Sequence, residues 1–347
     1  MNKITLFTLF FLSLNLNAQT EFFTSEIYLS ENSKQTFYSA ISVSDNYAYF
    51  VANDYNLYAF DKKNGSLIWK KYLASKTNMP PIIHQNTVIA NRYLDNSEAS
   101  IMLDALTGDE LKTLSIGPIK TDPFFKDNIM YCTALQDGGN IMAYDLTNNQ
   151  IVWKKFIAHG VEVQPYFFQD KIVANAEGDN WFEMDYEGKS LDTRCKNKMT
   201  LNDDSEICVR NFKRLTHNQK EISEKILQQD YDFDIRYEKD KTILLNQNQL
   251  TIINNKNKVF RQVVLDEVLE FPETATIEND YKSICQITDN KIWVFYQNLL
   301  ALYDIESNAV LRTIDLTKWN PHRIAMDGDN LWIISRNDAQ LHGIRIN

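Results

Sequence analysis

The chain has 347 residues, 44% of them hydrophobic, which is ample for a packed core, and a formal charge of −10 from 36 basic and 46 acidic side chains. That balance disfavours attraction to nucleic acid or to an anionic lipid surface. With 10 glycines in all, and neither a G-x-S-x-G elbow nor a phosphate-cradling glycine run, the sequence offers no nucleophile or nucleotide motif.

The chain opens on "MNKITLFTLFFLSLNLNAQT". Lys3 precedes an apolar run, Ile4 to Leu16, too short to span a bilayer as a helix, and a small residue, Ala18, follows. Residues 1–18 are expected to be a cleaved signal peptide, with the cut between Ala18 and Gln19. No cysteine lies near the cut, so a lipid anchor is not expected. Residues 19–347 are expected to form one domain without an integral membrane segment, periplasmic or secreted, with periplasm preferred.

"EFFTSEIYLS", Glu21 to Ser30, reads as an isolated strand. After it come "YSAISVS", "YAYFVAN", "LYAF" and "LIWKKYL", four runs rich in β-branched and aromatic residues separated by polar turns. The phrase "LYAFDKKNGSLIWKKYL" at Leu57 returns as "IMAYDLTNNQIVWKKFI" at Ile141. Aligning on its aspartate gives Asp61, Asp104, Asp145, Asp185, Asn254 and Asp304, with Arg345 in register at the end. Successive differences are 43, 41, 40, 69, 50 and 41 (104 − 61 through 345 − 304). A period of 40 to 45 residues with four short strands in each marks propeller blades.

Turn chemistry accounts for the recurrent residues. The aspartate is suited to cap the turn, and Gly65, Gly108, Asn149 and Asn308, four places later, suit a positive φ. Gly188 and Asn257 fill that role in turns one residue shorter. These aspartates therefore read as turn formers, not catalytic acids. The seven aligned positions predict an all-β, seven-bladed propeller of four-stranded antiparallel blades. The last repeat stops after its third strand, so the N-terminal strand is expected to complete it and close the ring.

The 69-residue gap predicts an insertion at about 197–230. Within it, "THNQKEISEKILQQD" offers a capping-box start at Thr216 and Gln219 and an apolar stripe of Ile222, Ile226 and Leu227, so a short amphipathic helix is expected. That stripe reads either as a flap packed on the ring or as a contact for a protein partner.

The motif A-x-D-x-x-T-G-x-x-x-W resembles the pyrroloquinoline quinone (PQQ)-like repeat. Ala59, Asp61, Gly65 and Trp69 fit it, as do Ala143, Asp145 and Trp153. The second repeat keeps Asp104, Thr107 and Gly108 but has Lys112 at the tryptophan position. The resemblance implies a propeller whose tryptophans dock between blades. It also implies that a quinone-using dehydrogenase would carry adjacent cysteines and a calcium site. This sequence has no Cys-Cys pair, and no bound cofactor is expected.

Cys195 and Cys208 are spaced to close a short loop and are the candidate disulfide, whereas Cys132 and Cys285 read as buried thiols. His84, His159, His217, His322 and His342 form no metal pair. "NDDSE", Asn202 to Glu206, lacks calcium-loop spacing. Tyr93, Trp181 and Trp319 are candidates both for stacking on a sugar or peptide and for filling blade interfaces. Carbohydrate binding stays open on that ground alone. The expected function is a non-catalytic protein-interaction or assembly scaffold. The alternative is an enzyme (a lyase, a hydrolase or a degenerate quinoprotein) with its site at the axial opening, marked by acidic, His and Tyr side chains facing the axis.

Overall fold

The computed structural model describes residues 19–346 apart from 27–38, 76, 78, 95, 159–162, 178–179, 197, 203, 211–213, 218–219, 222–232, 239, 255–259 and 273–278. The expected signal segment and the stripe Ile222, Ile226 and Leu227 lie outside the described residues.

The two middle strands of a blade are covered on both faces, and their sequences are accordingly near-continuous in apolar residues. Tyr47–Val51 and Asn56–Asp61 in blade 1 show this, as do Lys241–Asn246 and Gln249–Asn254 in blade 6. The outermost strand is covered on one face only. Leu67–Tyr72 buries Trp69 and exposes Ile68, Lys70 and Tyr72.

These strands form eight four-stranded antiparallel sheets among the described residues, one more than the seven expected. Blades 1 to 8 occupy 40–72, 82–113, 124–158, 166–191, 199–221, 233–264, 283–315 and 321–345. The extra blade is the fifth, and it lies inside the insertion. Its strands Met199–Thr200, Ile207–Arg210, Arg214–His217 and Lys220–Glu221 pair in order, with Cys208 opposite Thr216 and His217 opposite Lys220. Thr216 therefore lies in a strand and does not cap a helix. The one described helix is the four-residue Leu265–Val268, after blade 6.

The N-terminal strand closes the ring. Thr20–Thr24 is the outer strand of blade 8, pairing with Leu341–Arg345 in the register Thr20 to Arg345 and Thr24 to His342. Each hydrophobic cluster straddles neighbouring blades. One joins Trp332 and Ile334 of blade 8 to Ile41 and Phe50 of blade 1, so the core runs round without a gap. Another joins Trp181 of blade 4, Ile207 of blade 5 and Leu244 of blade 6.

Blade 5 has short strands and needs other ties. The Cys195 and Cys208 sulfurs are bonded, with their Cα atoms 5.7 Å apart. Lys171 and Glu183 of blade 4, both buried, pair at 2.9 Å, and Glu183 also accepts from the hydroxyls of Thr200 and Ser205 of blade 5. Asn202 Oδ1 accepts the Glu206 and Ile207 amides at 3.1 and 2.9 Å. The acidic "NDDSE" loop is thus built into the blade through its own side chains.

Candidate functional site at the axial opening

The expected turn chemistry is present and structural. Asp61, Asp104, Asp145 and Asp304 each accept two backbone amides of their own turn through one carboxylate oxygen. Those bonds, the amide of Thr107 foremost for Asp104, hold its carboxyl below the usual aspartate range. Gly65, Gly108, Asn149, Gly188 and Asn308 all have positive φ, between 56° and 84°. The tryptophans dock as the resemblance implied. Trp69 Nε1 donates to the carbonyl of Ala105 at 3.0 Å and Trp153 Nε1 to that of Tyr186 at 2.9 Å. The acceptor is in each case the residue after the next turn's aspartate. In blades 2 and 6 a cation stands where tryptophan is missing: Lys112 Nζ donates to the Leu146 carbonyl, and Arg261 Nη1 donates to that of Ile305 at 2.6 Å. The position is a donor to the next blade, and its loss of tryptophan hid the repeat from the motif.

The histidines are dispersed. His84 stacks on Phe125 at 4.2 Å. His322 is buried, which with Arg323 and Arg336 nearby pushes it down to about 3. His342 lies between Glu21 and Asp338. His159 lies outside the described residues, and His217 belongs to blade 5. Among the described residues no group of three His, Cys, Asp or Glu side chains is placed to hold a metal ion. Cys132 and Cys285 are free thiols, both pushed up to about 12 by burial. Of the aromatic candidates only Tyr93 is exposed, while Trp181 and Trp319 fill the core.

The first strands of neighbouring blades approach one another, Ala40–Val43 with Pro321–Asp327 and Phe233–Glu238 with Ser283–Thr288, and so surround the axis. At one end they open into a cleft of about 510 Å³ lined from blades 3, 4, 6 and 7. The short inner strand Tyr166–Phe167 forms part of its wall. Its polar side brings together Asp122, Gln164, Asp234, Arg236 and Lys282; Phe124, Tyr166, Phe167 and Tyr237 form the rest. Acids and tyrosines thus face the axis, without a histidine among the lining residues.

Asp234 is fully engaged. Its Oδ1 meets Arg236 Nε at 3.1 Å and its Oδ2 accepts from Ser283 Oγ at 3.1 Å and the Ile284 amide at 2.7 Å. Asp122 is exposed at the cleft, with protein packed beside it. Desolvation by that packing raises its carboxyl above the ordinary range, Arg236 opposing and Asp234 adding to the effect. The sequence carried one unused signal for this site. Pro81, Pro123 and Pro165 recur at 42 residues (123 − 81 and 165 − 123), each just before an inner strand, and so mark the same mouth of the ring.

Residues 19–162, the closing strand and the first three blades, match the family model described as outer membrane protein assembly factor BamB. No curated protein matches the sequence. Among solved structures, the computationally designed Ika8 protein superposes with a TM-score of 0.61 at 12% identity, covering 93% of this chain and 100% of that one. BamB from Moraxella catarrhalis gives 0.48 at 14% identity, covering 88% and 81%. The match to this PQQ-type propeller family model is thus confined to residues 19–162, and the four-stranded blade found there recurs round the ring to its closure.

Proposed function

We propose that this chain is a non-catalytic periplasmic scaffold, exported by residues 1–18, that docks a protein partner on the outer edges of blades 1 to 3. One observation carries the reading. The outermost strands of blades 1 and 3 display the same exposed series, Ile68, Lys70 and Tyr72 and then Val152, Lys154 and Phe156, with Leu111 of blade 2 at the matching position between them. Apolar side chains repeated on the solvent face of successive edge strands cost solubility and serve contact. They also fall within the residues that match the assembly-factor model, whose description supports a role in assembly. Ile222, Ile226 and Leu227 are a second candidate contact.

The test substitutes Ile68, Tyr72, Val152 and Phe156 by Asp in the mature chain. Exposed sites tolerate this within about 0.5 kcal/mol each, so the β spectrum and cooperative unfolding should persist. A partner that co-purifies from the native envelope, and that rebinds the purified wild-type chain, should be lost. Retention of that partner by the quadruple variant refutes the docking edge, and the same substitution series at 222, 226 and 227 tests the second contact.

A further inference from the structure

The Asp122 carboxylate is a charge that the fold leaves over. Its main chain is held at both polar groups by one side chain, since Gln164 Oε1 accepts its amide at 2.8 Å and Gln164 Nε2 donates to its carbonyl at 2.9 Å. Its neighbours are engaged elsewhere: Arg236 pairs with Asp234 and reaches Asp122 only through a coulombic attraction, and Lys282 has contacts of its own. The Asp122 oxygens accept no hydrogen bond and enter no ion pair among the described residues. Two residues on, Phe124 packs against Phe167, Tyr186 and Tyr131 with ring centroids 5.4, 5.6 and 6.4 Å away and stays 36% exposed at the same cleft.

An unpaired carboxylate beside a partly exposed aromatic ring, in a cleft with room for a small organic group, matches the needs of an organic cation. The charge meets the acid, and the methylenes or the ammonium lie on the ring. A divalent metal ion would require several further oxygens, and an anion would meet Asp122 itself. We propose that the axial cleft binds an organic cation, the primary ammonium or guanidinium of a lysine or arginine side chain or of a free alkylamine, with Asp122 as counter-ion and Phe124 as the ring beneath it. The site is remote from the edges of blades 1 to 3 in the strand order and stands whether or not those edges dock a partner.

The experiment is calorimetric titration of the mature full chain with butylammonium, with a blocked lysine-bearing pentapeptide and with butyrate. Saturable binding of a cation and none of butyrate is expected. Asp122→Asn should weaken the cation about tenfold or more at an unchanged melting temperature, and Phe124→Ala should weaken it by several fold. A peptide bound much more tightly than butylammonium identifies a protein side chain as the source, and equal affinities identify a free amine. Absence of saturable cation binding, binding of butyrate, or unchanged affinity in Asp122→Asn overturns the proposal. If Asp122→Asn does not fold, unchanged affinity in Phe124→Ala overturns it equally.

Discussion

Phe23 lies on Gly65: a Cβ placed on that glycine would stand 2.3 Å from Phe23 Cδ2. Trp69 lies on Gly108 and Trp153 on Gly188 in the same manner, with closest approaches of 2.6 and 2.8 Å. The N-terminal strand therefore closes the ring with the device that joins consecutive blades, an aromatic side chain laid on the next turn's glycine. Gly65→Val should cost about 2–4 kcal/mol, from the positive φ and the clash together. Gly328→Ala, at φ 57° with nothing within 4 Å, should cost about 1 kcal/mol. Denaturant unfolding of both variants checks the difference, and removal of residues 19–26 should leave blade 8 with an open edge and promote aggregation.

The closing strand also carries an acid-sensitive tie. Glu21 Oε1 lies 2.6 Å from His342 Nδ1, and Thr24 and Lys318 donate to the same carboxylate. Burial raises its pKa, but the bonds from Thr24, His342 and Lys318 outweigh it and bring Glu21 from 4.5 to about 2. A carboxyl depressed in the folded state stabilises it above the unfolded value. That contribution is complete above about 4.5 and is lost as the pH falls from there through about 2. Glu21→Gln should flatten the fall of the melting temperature across that window, and an unchanged slope would remove Glu21 from the account.

Lys112 stands where the repeat motif has tryptophan and keeps only the hydrogen bond, to the carbonyl of Leu146. Lys112→Ala should lose about 1–2 kcal/mol, and Lys112→Met, which keeps the stem, should lose the bond but little packing. Arg261→Ala should behave as Lys112→Ala does, since it reaches Ile305 in the same way. Equal stability of the two Lys112 variants would assign the effect to the bond alone.

Blade 5 depends on a buried ion pair. Glu183→Ala strands Lys171 and should cost about 3–5 kcal/mol, whereas replacing both by apolar residues of similar volume should recover much of that loss. Reduction of Cys195–Cys208 should open the same blade, at about 3 kcal/mol by loop closure entropy. A double-mutant cycle for the pair, and unfolding with and without reductant, measure the two terms.

The period was legible because an aspartate capping its turn and a residue at positive φ are written in the sequence wherever they occur, as at Asp61 with Gly65 and Asp304 with Asn308. Closure by the first strand was legible from a last repeat that lacked one. Blade 5 was not legible. Its third and fourth strands meet at His217–Lys220 with no aspartate or glycine, and the helical spacing of Ile222, Ile226 and Leu227 drew the reading of the whole insertion toward a helix. The axial cleft was hidden for another reason. Its residues come from four blades, in or just before their inner strands; only blades 3 and 4 share a proline there, and the chemistry differs from blade to blade.

The docking edge of blades 1 to 3 is tested most directly by a photo-crosslinking residue placed at Tyr72, at Phe156 and at Leu311 in native cells. Leu311 holds in blade 7 the position of Ile68 and Val152 and is exposed, but it lies beyond the residues that match the assembly-factor model. The expected result is one discrete adduct to the same protein from positions 72 and 156 and none from 311. No adduct from 72 and 156, or the same adducts from all three positions, would contradict it.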